Sequence, residues 1–278
     1  MKFGLNAPNF GKTFGDPLLA VEMIEEAEKA GWDGFFLWDH LFPDDPAAII
    51  DPFVALAAAA IKTKKILLGT AVTPVTRRRP WKLASECVTL DHLSNGRVVL
   101  GIGLGIPHEL QLMNEETKPK IQARMVTEQI DILNGLWSGE DFSFEGEFYK
   151  LDKVKMLPKP VQQPRIKLWG AGTWPNKGPF KRAVNLDGIV PLQAGFEKPL
   201  SLEELKQISE YLNLQGEISD TYDIVRFYFN TGEDVQQELD KLKLFRDIGI
   251  TWWLDTVSDW TGDTDKIREI IRKGPPKL

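Results

Sequence analysis

The run Gly34-Phe35-Phe36-Leu37-Trp38 is short and apolar, and it opens directly onto Asp39 and His40. Histidine exchanges protons most readily near neutral pH, and an adjacent carboxylate can tune or orient its ring. Acid–base work at a strand end is the chemistry this pair suggests. The other two histidines offer His40 no ready partner: His92 falls within a helical stretch and His108 within a long insertion. A metal-dependent barrel hydrolase would need several histidines and carboxylates at strand ends. Cys87 lies inside a helical stretch, which predicts a buried, inert thiol. The chain has no Gly-x-Ser-x-Gly elbow and no dinucleotide fingerprint opening a helix. A site so poor in nucleophiles and metal ligands borrows its chemistry from a cofactor.

Two glycine-rich segments and a basic run are candidates for holding such a group. Gly101-Ile102-Gly103-Leu104-Gly105 lets backbone approach a ligand, since no Cβ intervenes, but a bare glycine repeat equally serves tight packing. Gly170-Ala171-Gly172-Thr173 precedes Asn176 and Lys177, which open a helix. Free backbone N–H groups, a hydroxyl and a helix N-terminus together make a candidate anion site. Lys177 also reads as a solvated surface charge. Arg77-Arg78-Arg79 reads either as a solvated loop before the helix start at Pro80 or as a clamp for an anionic tail.

These residues converge only if the elements between them close into one sheet. Strand-like segments fall at 3–7, 34–38, 65–72, 98–102, 166–170, 188–191, 224–230 and 251–254. Helix-like segments alternate with them at 16–30, 51–62, 79–93, 118–137, 201–213, 234–247 and 264–273. Gly31 caps the first helix, while Asp51-Pro52 gives the second an N-cap and an N1 proline. Residues 142–149 alternate about a glycine and read as a small hairpin. The pattern predicts a (β/α)8 TIM barrel, one domain over residues 1–278 with an insertion between strands four and five. All the strand ends would then point to one mouth.

Hydrophobic residues at 42% and charged residues at 27% match an ordinary soluble globular protein. A net charge of −6 and a pI near 5.3 argue against nucleic acid as a partner. The most apolar runs, 53–61 and 98–106, are too short to span a bilayer, so no membrane association is expected. One cysteine excludes an internal disulfide, and the first residues lack the apolar core of a signal peptide; both point to the cytoplasm. Trp38, Trp169, Trp174, Trp252 and Trp253 flank strand ends, where an aromatic-walled cavity would suit a planar cofactor or hydrophobic substrate.

Longer motifs resemble a known family. Residues 30–40, reading Ala-Gly-Trp-Asp-Gly-Phe-Phe-Leu-Trp-Asp-His, are similar to strand two of the bacterial luciferase-like monooxygenases, oxidoreductases that use FMN or a deazaflavin. Gly69-Thr70-Ala71-Val72-Thr73-Pro74 with Arg79-Pro80 resembles the family's third strand and following helix. The most specific stretch is Leu90-Asp91-His92-Leu93-Ser94-Asn95-Gly96-Arg97 running into Leu100-Gly101-Ile102-Gly103-Leu104-Gly105. Arg124, Glu128, Leu133, Trp137 and Gly139, then residues 144–149 and 158–162, continue it. The likeness is good over residues 1–192 and weak beyond.

The resemblance implies a barrel with the coenzyme ring at its C-terminal mouth and His40 as proton donor or acceptor, with Asp39 beside it. Thr70, Ala71 and Val72 would lie under the ring, where the family often carries a non-prolyl cis peptide. Gly103 and Gly105 would approach the cofactor, Gly170, Ala171, Gly172, Thr173 and Lys177 would hold its phosphate, and Asn6 and Asn9 would contact ring or substrate. The implied cofactor is FMN or the deazaflavin coenzyme F420. The implied partner is a small organic substrate, with O2 for a flavin monooxygenase, and a homodimer is expected. Two departures stand out: the very short connection Thr231-Gly232-Glu233, and Ile106-Pro107-His108-Glu109 directly after Gly105. The alternatives are a non-catalytic flavin-binding barrel and a metal-dependent aldolase or isomerase barrel.

Overall fold

A parallel strand covered by helices must be apolar on both faces, and Gly34–Leu37 is buried throughout. In the computed structural model, which describes residues 1–195, 198–216, 218–229 and 240–276, that strand is one of eight in a closed barrel. The chain runs β1 (Lys2–Ala7), α1 (Pro17–Ala30), β2 (Gly34–Leu37), α2 (Pro52–Lys62), β3 (Leu67–Pro74), α3 (Pro80–Ser94), β4 (Val98–Gly103), α4 (Pro107–Leu112) and α5 (Pro119–Trp137). An antiparallel ribbon, β5 (Phe142–Glu145) and β6 (Lys150–Val154), stands outside the barrel. Then follow β7 (Lys167–Trp174), α6 (Lys177–Ala183), β8 (Gly188–Gln193), α7 (Leu202–Gln215), β9 (Asp223–Phe229), α8 (Leu242–Asp247), β10 (Trp252–Thr256) and α9 (Thr264–Lys273). Around the barrel the order is β1, β10, β9, β8, β7, β4, β3, β2, the expected (β/α)8 architecture.

The elements end where local chemistry stops them. Asp16 accepts from the N–H groups of Leu18 and Leu19 to start α1, and Gly31, with φ of 93°, ends it in the left-handed region. Asp51 caps α2 through Val54 N–H, with Pro52 at the first helical position. Several boundaries differ from expectation by a few residues. β3 and β7 extend to Pro74 and Trp174, and the second strand of the hairpin lies at Lys150–Val154. α4 is an addition, too short to show a helical period. The expected connection Thr231-Gly232-Glu233, and the start of the helix expected at 234–247, lie outside the described residues.

The barrel interior is filled by aromatic rings. Phe36 stacks on Trp169 at 4.9 Å, and Trp252 meets both at 5.8 and 5.5 Å. Below them Asp223, at the start of β9, accepts from both indole N–H groups at 3.1 and 3.0 Å, from Lys167 Nζ at 2.9 Å and from Thr251 Oγ1 at 3.2 Å. This plug fills the N-terminal end of the barrel. Among the described residues, no helix is long and apolar enough to cross a membrane.

Candidate active site

The two asparagines of the β1 exit build the floor on which His40 stands. Asn6, fully buried, accepts from Trp38 Nε1 at 2.9 Å and donates to Thr256 Oγ1 at 3.1 Å. Asn9 donates to the carbonyls of His40 and Ile50 at 2.9 and 2.7 Å and accepts from His40 N–H at 2.9 Å. Both amides are thus engaged in fixing the β2 exit.

Asp39 does not orient His40. Its buried carboxylate is gripped by Arg77 and taken bidentately by Arg78, whose Nη2 lies 3.1 and 3.0 Å from the two oxygens. Arg77 donates also to the Asp39 carbonyl at 2.7 Å, and Arg78 lies over the Phe53 ring. This corrects both readings of the arginine run: Arg77 and Arg78 face inward, neither solvated nor open to an anionic tail. Only Arg79 is exposed. The fork geometry of guanidinium suits such a pairing, and it locks β3 to β2 at the mouth.

The carboxylate beside the imidazole is Glu109, from α4. It accepts from the N–H groups of Leu41 and Phe42, the latter at 2.8 Å. Its Oε2 lies 3.4 Å from His40 Nδ1 and 3.6 Å from Arg77 Nη1, both longer than a well-formed hydrogen bond. Burial pushes the Glu109 carboxyl up, but the His40 ring and the two backbone N–H groups outweigh it and hold it at about 2. Glu109 is therefore a permanent anion against Nδ1. With that nitrogen facing a carboxylate, Nε2 is the free end of the ring. Gly105, with φ of 87°, makes the turn that brings α4 over the mouth. A six-residue helix 69 positions away in sequence left no signal for this pairing beyond a carboxylate near a strand end.

Between β3 and β4 the glycines serve close packing. A Cβ on Gly101 would lie 2.2 Å from the Thr70 carbonyl oxygen, and one on Gly103 would lie 2.5 Å from Val72 Cγ2. The Ala71–Val72 peptide is cis, and the β3–β4 register shifts between Thr70 and Thr73. Thr70 is buried and accepts from the Thr73 hydroxyl at 2.9 Å, while Ala71 and Val72 join the barrel interior.

Gly170, Ala171, Gly172 and Thr173 form no turn. They lie within β7, where residues 170–174 pair with 189–193 of β8. A Cβ on Gly172 would lie 2.6 Å from Pro179 Cβ, so this glycine admits α6. Lys177 is exposed, with its ammonium 5.2 Å from the Tyr211 ring centre. The cation that reaches this region is Arg182 of α6, which the sequence reading passed over. It lines a small pocket with Gly103, Gly170 and Ala171. Burial lowers its pKa, and among the described residues no carboxylate pairs with it. A cation on the inner face of a helix that also carries Phe180 and Ala183 was the signal available.

Comparison with known proteins identifies the family and the fold. Residues 1–191 match the family model described as luciferase-like monooxygenase. The chain is 32% identical to an F420-dependent glucose-6-phosphate dehydrogenase of Nakamurella multipartita over 180 residues, 62% of this chain and 51% of that protein. It is 30% identical over 181 residues to the oxygenase component of a flavin-dependent trigonelline monooxygenase of Acinetobacter baylyi, 64% of this chain and 49% of that one. The barrel superposes with a TM-score of 0.81 on an F420-dependent secondary alcohol dehydrogenase in complex with an F420–acetone adduct, at 20% identity over 99% of this chain and 98% of the other.

Proposed function

The chain belongs to the luciferase-like monooxygenase family, and on that premise we propose that it is an oxidoreductase acting on a small organic substrate, with reduced FMN or F420 bound at the barrel mouth. The observation that carries this reading is His40, held by Asn9 with Nδ1 against anionic Glu109 and Nε2 free at the mouth. The residues fit such a coenzyme on a second count. Arg182 is a half-buried cation without a carboxylate partner among the described residues, beside the backbone of Gly103, Gly170 and Ala171. It suits the coenzyme's phosphate. When bound, the coenzyme supplies the two-electron chemistry, with O2 as co-substrate in the flavin case.

The chain's own residues then have defined work. His40 Nε2 takes a proton from, or gives one to, the reacting oxygen of the substrate. Glu109 stays ionised throughout, fixing the imidazole tautomer and stabilising the imidazolium. Asp39, Arg77 and Arg78 hold the β2 exit in place, and the packed β3–β4 segment would form a wall against the coenzyme ring. The curated relatives include both an F420 and a flavin enzyme, and each is matched over only about half its length.

Titration of apo-protein with FMN and with F420, read by fluorescence, tests the reading. One of the two binds in the micromolar range or tighter, and Arg182→Met raises its Kd about tenfold, the size of one charge-assisted contact. Binding of neither coenzyme contradicts it.

A further inference from the structure

A cluster of four rings rises from His40 to solvent, and proton transfer alone leaves three of them without a task. Phe10, Trp38 and Trp260 come from the segments that follow β1, β2 and β10. The Phe10 ring meets His40 at 5.6 Å, Trp38 at 6.3 Å and Trp260 at 6.1 Å. Trp38 meets His40 at 5.8 Å and Trp260 at 6.0 Å. The rings thus make one continuous wall with the imidazole at its inner end.

The wall is held in place from behind. Trp38 is anchored through its Nε1 on Asn6, and Phe10 lies in an antiparallel bridge with Ile49. Asp259 accepts from Lys12 N–H at 2.6 Å, Thr13 Oγ1 at 2.8 Å and Thr13 N–H at 3.3 Å, stapling the Trp260 segment onto the β1 exit. Gly11, with φ of 105°, permits that approach, since a Cβ there would lie 2.4 Å from Asp259 Oδ2. Yet Trp260, so fixed, is 71% exposed. A large indole fixed in position and open to water beside an acid–base group is a ligand surface ready-made.

Its charge environment selects the ligand. Asp259, the residue before Trp260, is already met by three donors. Arg77 and Arg78 face Asp39, and Glu109 faces two backbone N–H groups and the His40 ring. The wall therefore offers ring surface and an imidazole, with the Arg77 and Arg78 guanidinium groups paired to carboxylates. We propose that Phe10, Trp38 and Trp260 form the substrate subsite, and that it takes an uncharged compound bearing an aromatic ring. The ring lies against Trp260 and the reacting group reaches His40. This assignment rests on His40 as the acid–base group and adds to it the substrate class.

Benzyl alcohol and benzoate carry the same ring without and with charge. Their binding is measured by isothermal titration calorimetry to wild-type protein, Trp260→Ala and Trp260→Phe, all without coenzyme. FMN and F420 are then titrated into the same three proteins by fluorescence. Benzyl alcohol should bind about tenfold or more tighter than benzoate, and Trp260→Ala should lose about tenfold of that affinity while Trp260→Phe keeps most of it. Coenzyme affinity should agree across the three proteins within about twofold. Equal binding of benzoate, or benzyl alcohol binding unchanged in Trp260→Ala, overturns the proposal. A Trp260→Ala protein that loses coenzyme affinity instead overturns it by giving the wall to the coenzyme. Wild-type protein that binds neither coenzyme, but keeps the benzyl alcohol preference and its loss in Trp260→Ala, supports the subsite and contradicts the proposed function.

Discussion

Two of the buried carboxylates, Asp223 and Glu109, lie at opposite ends of this barrel, and they are treated differently. Asp223, at the N-terminal end, has both oxygens met by well-formed bonds from two indoles, a lysine and a threonine. Glu109, at the C-terminal mouth, has one oxygen met by two backbone N–H groups, while the other faces His40 and Arg77 at distances too long for good bonds. A buried polar group that is fully partnered rigidifies, and one left partly partnered in a native structure asks for a functional reason. Barrels of this class keep stability at the bottom face and chemistry at the top. The two acids divide along that line.

Breaking the lower acid should have the largest effect. Asp223→Ala strands the Lys167 ammonium and two indole N–H groups, and is expected to cost about 3–5 kcal/mol in denaturant unfolding, with turnover per folded molecule unchanged. Equal stability would remove the contrast between the two ends. Breaking the upper acid should do the reverse. Glu109→Gln keeps an acceptor for Leu41 and Phe42 but removes the anion, so turnover is expected to fall about 10²-fold while coenzyme affinity holds. The same variant gives the smallest effect, on acid stability. The Glu109 carboxyl sits at about 2 against an ordinary 4.5. The stabilisation it contributes is complete above about 4.5 and is lost as pH falls toward 2. Unfolding measured over that window should decline less steeply in Glu109→Gln than in wild type; parallel curves would contradict the assignment.

The same contrast explains what the sequence made legible. Alternating apolar strands and capped helices announce the barrel, because burial of a parallel strand and helix capping are local demands. Residues 34–40 gave the β2 exit and its histidine for the same reason. The partners of those residues are set by contacts far apart in sequence. Asp39 meets Arg77 and Arg78, and His40 meets Glu109 from a helix too short to show a period. The strand expected to end at residue 170 continues to Trp174, because Gly172 makes room for α6 inside it. Arg182 passed unnoticed because a single arginine on a short helix carries no pattern, and only the fold shows that it turns inward.

In the proposed function, His40 moves the proton at a coenzyme-bearing mouth. Steady-state turnover and coenzyme Kd, measured together on wild type and His40→Ala with a neutral aromatic alcohol or carbonyl compound that the wild type turns over, test it most directly. Turnover should fall about 10³-fold with Kd changed less than about twofold. Equal turnover in the two proteins would contradict it.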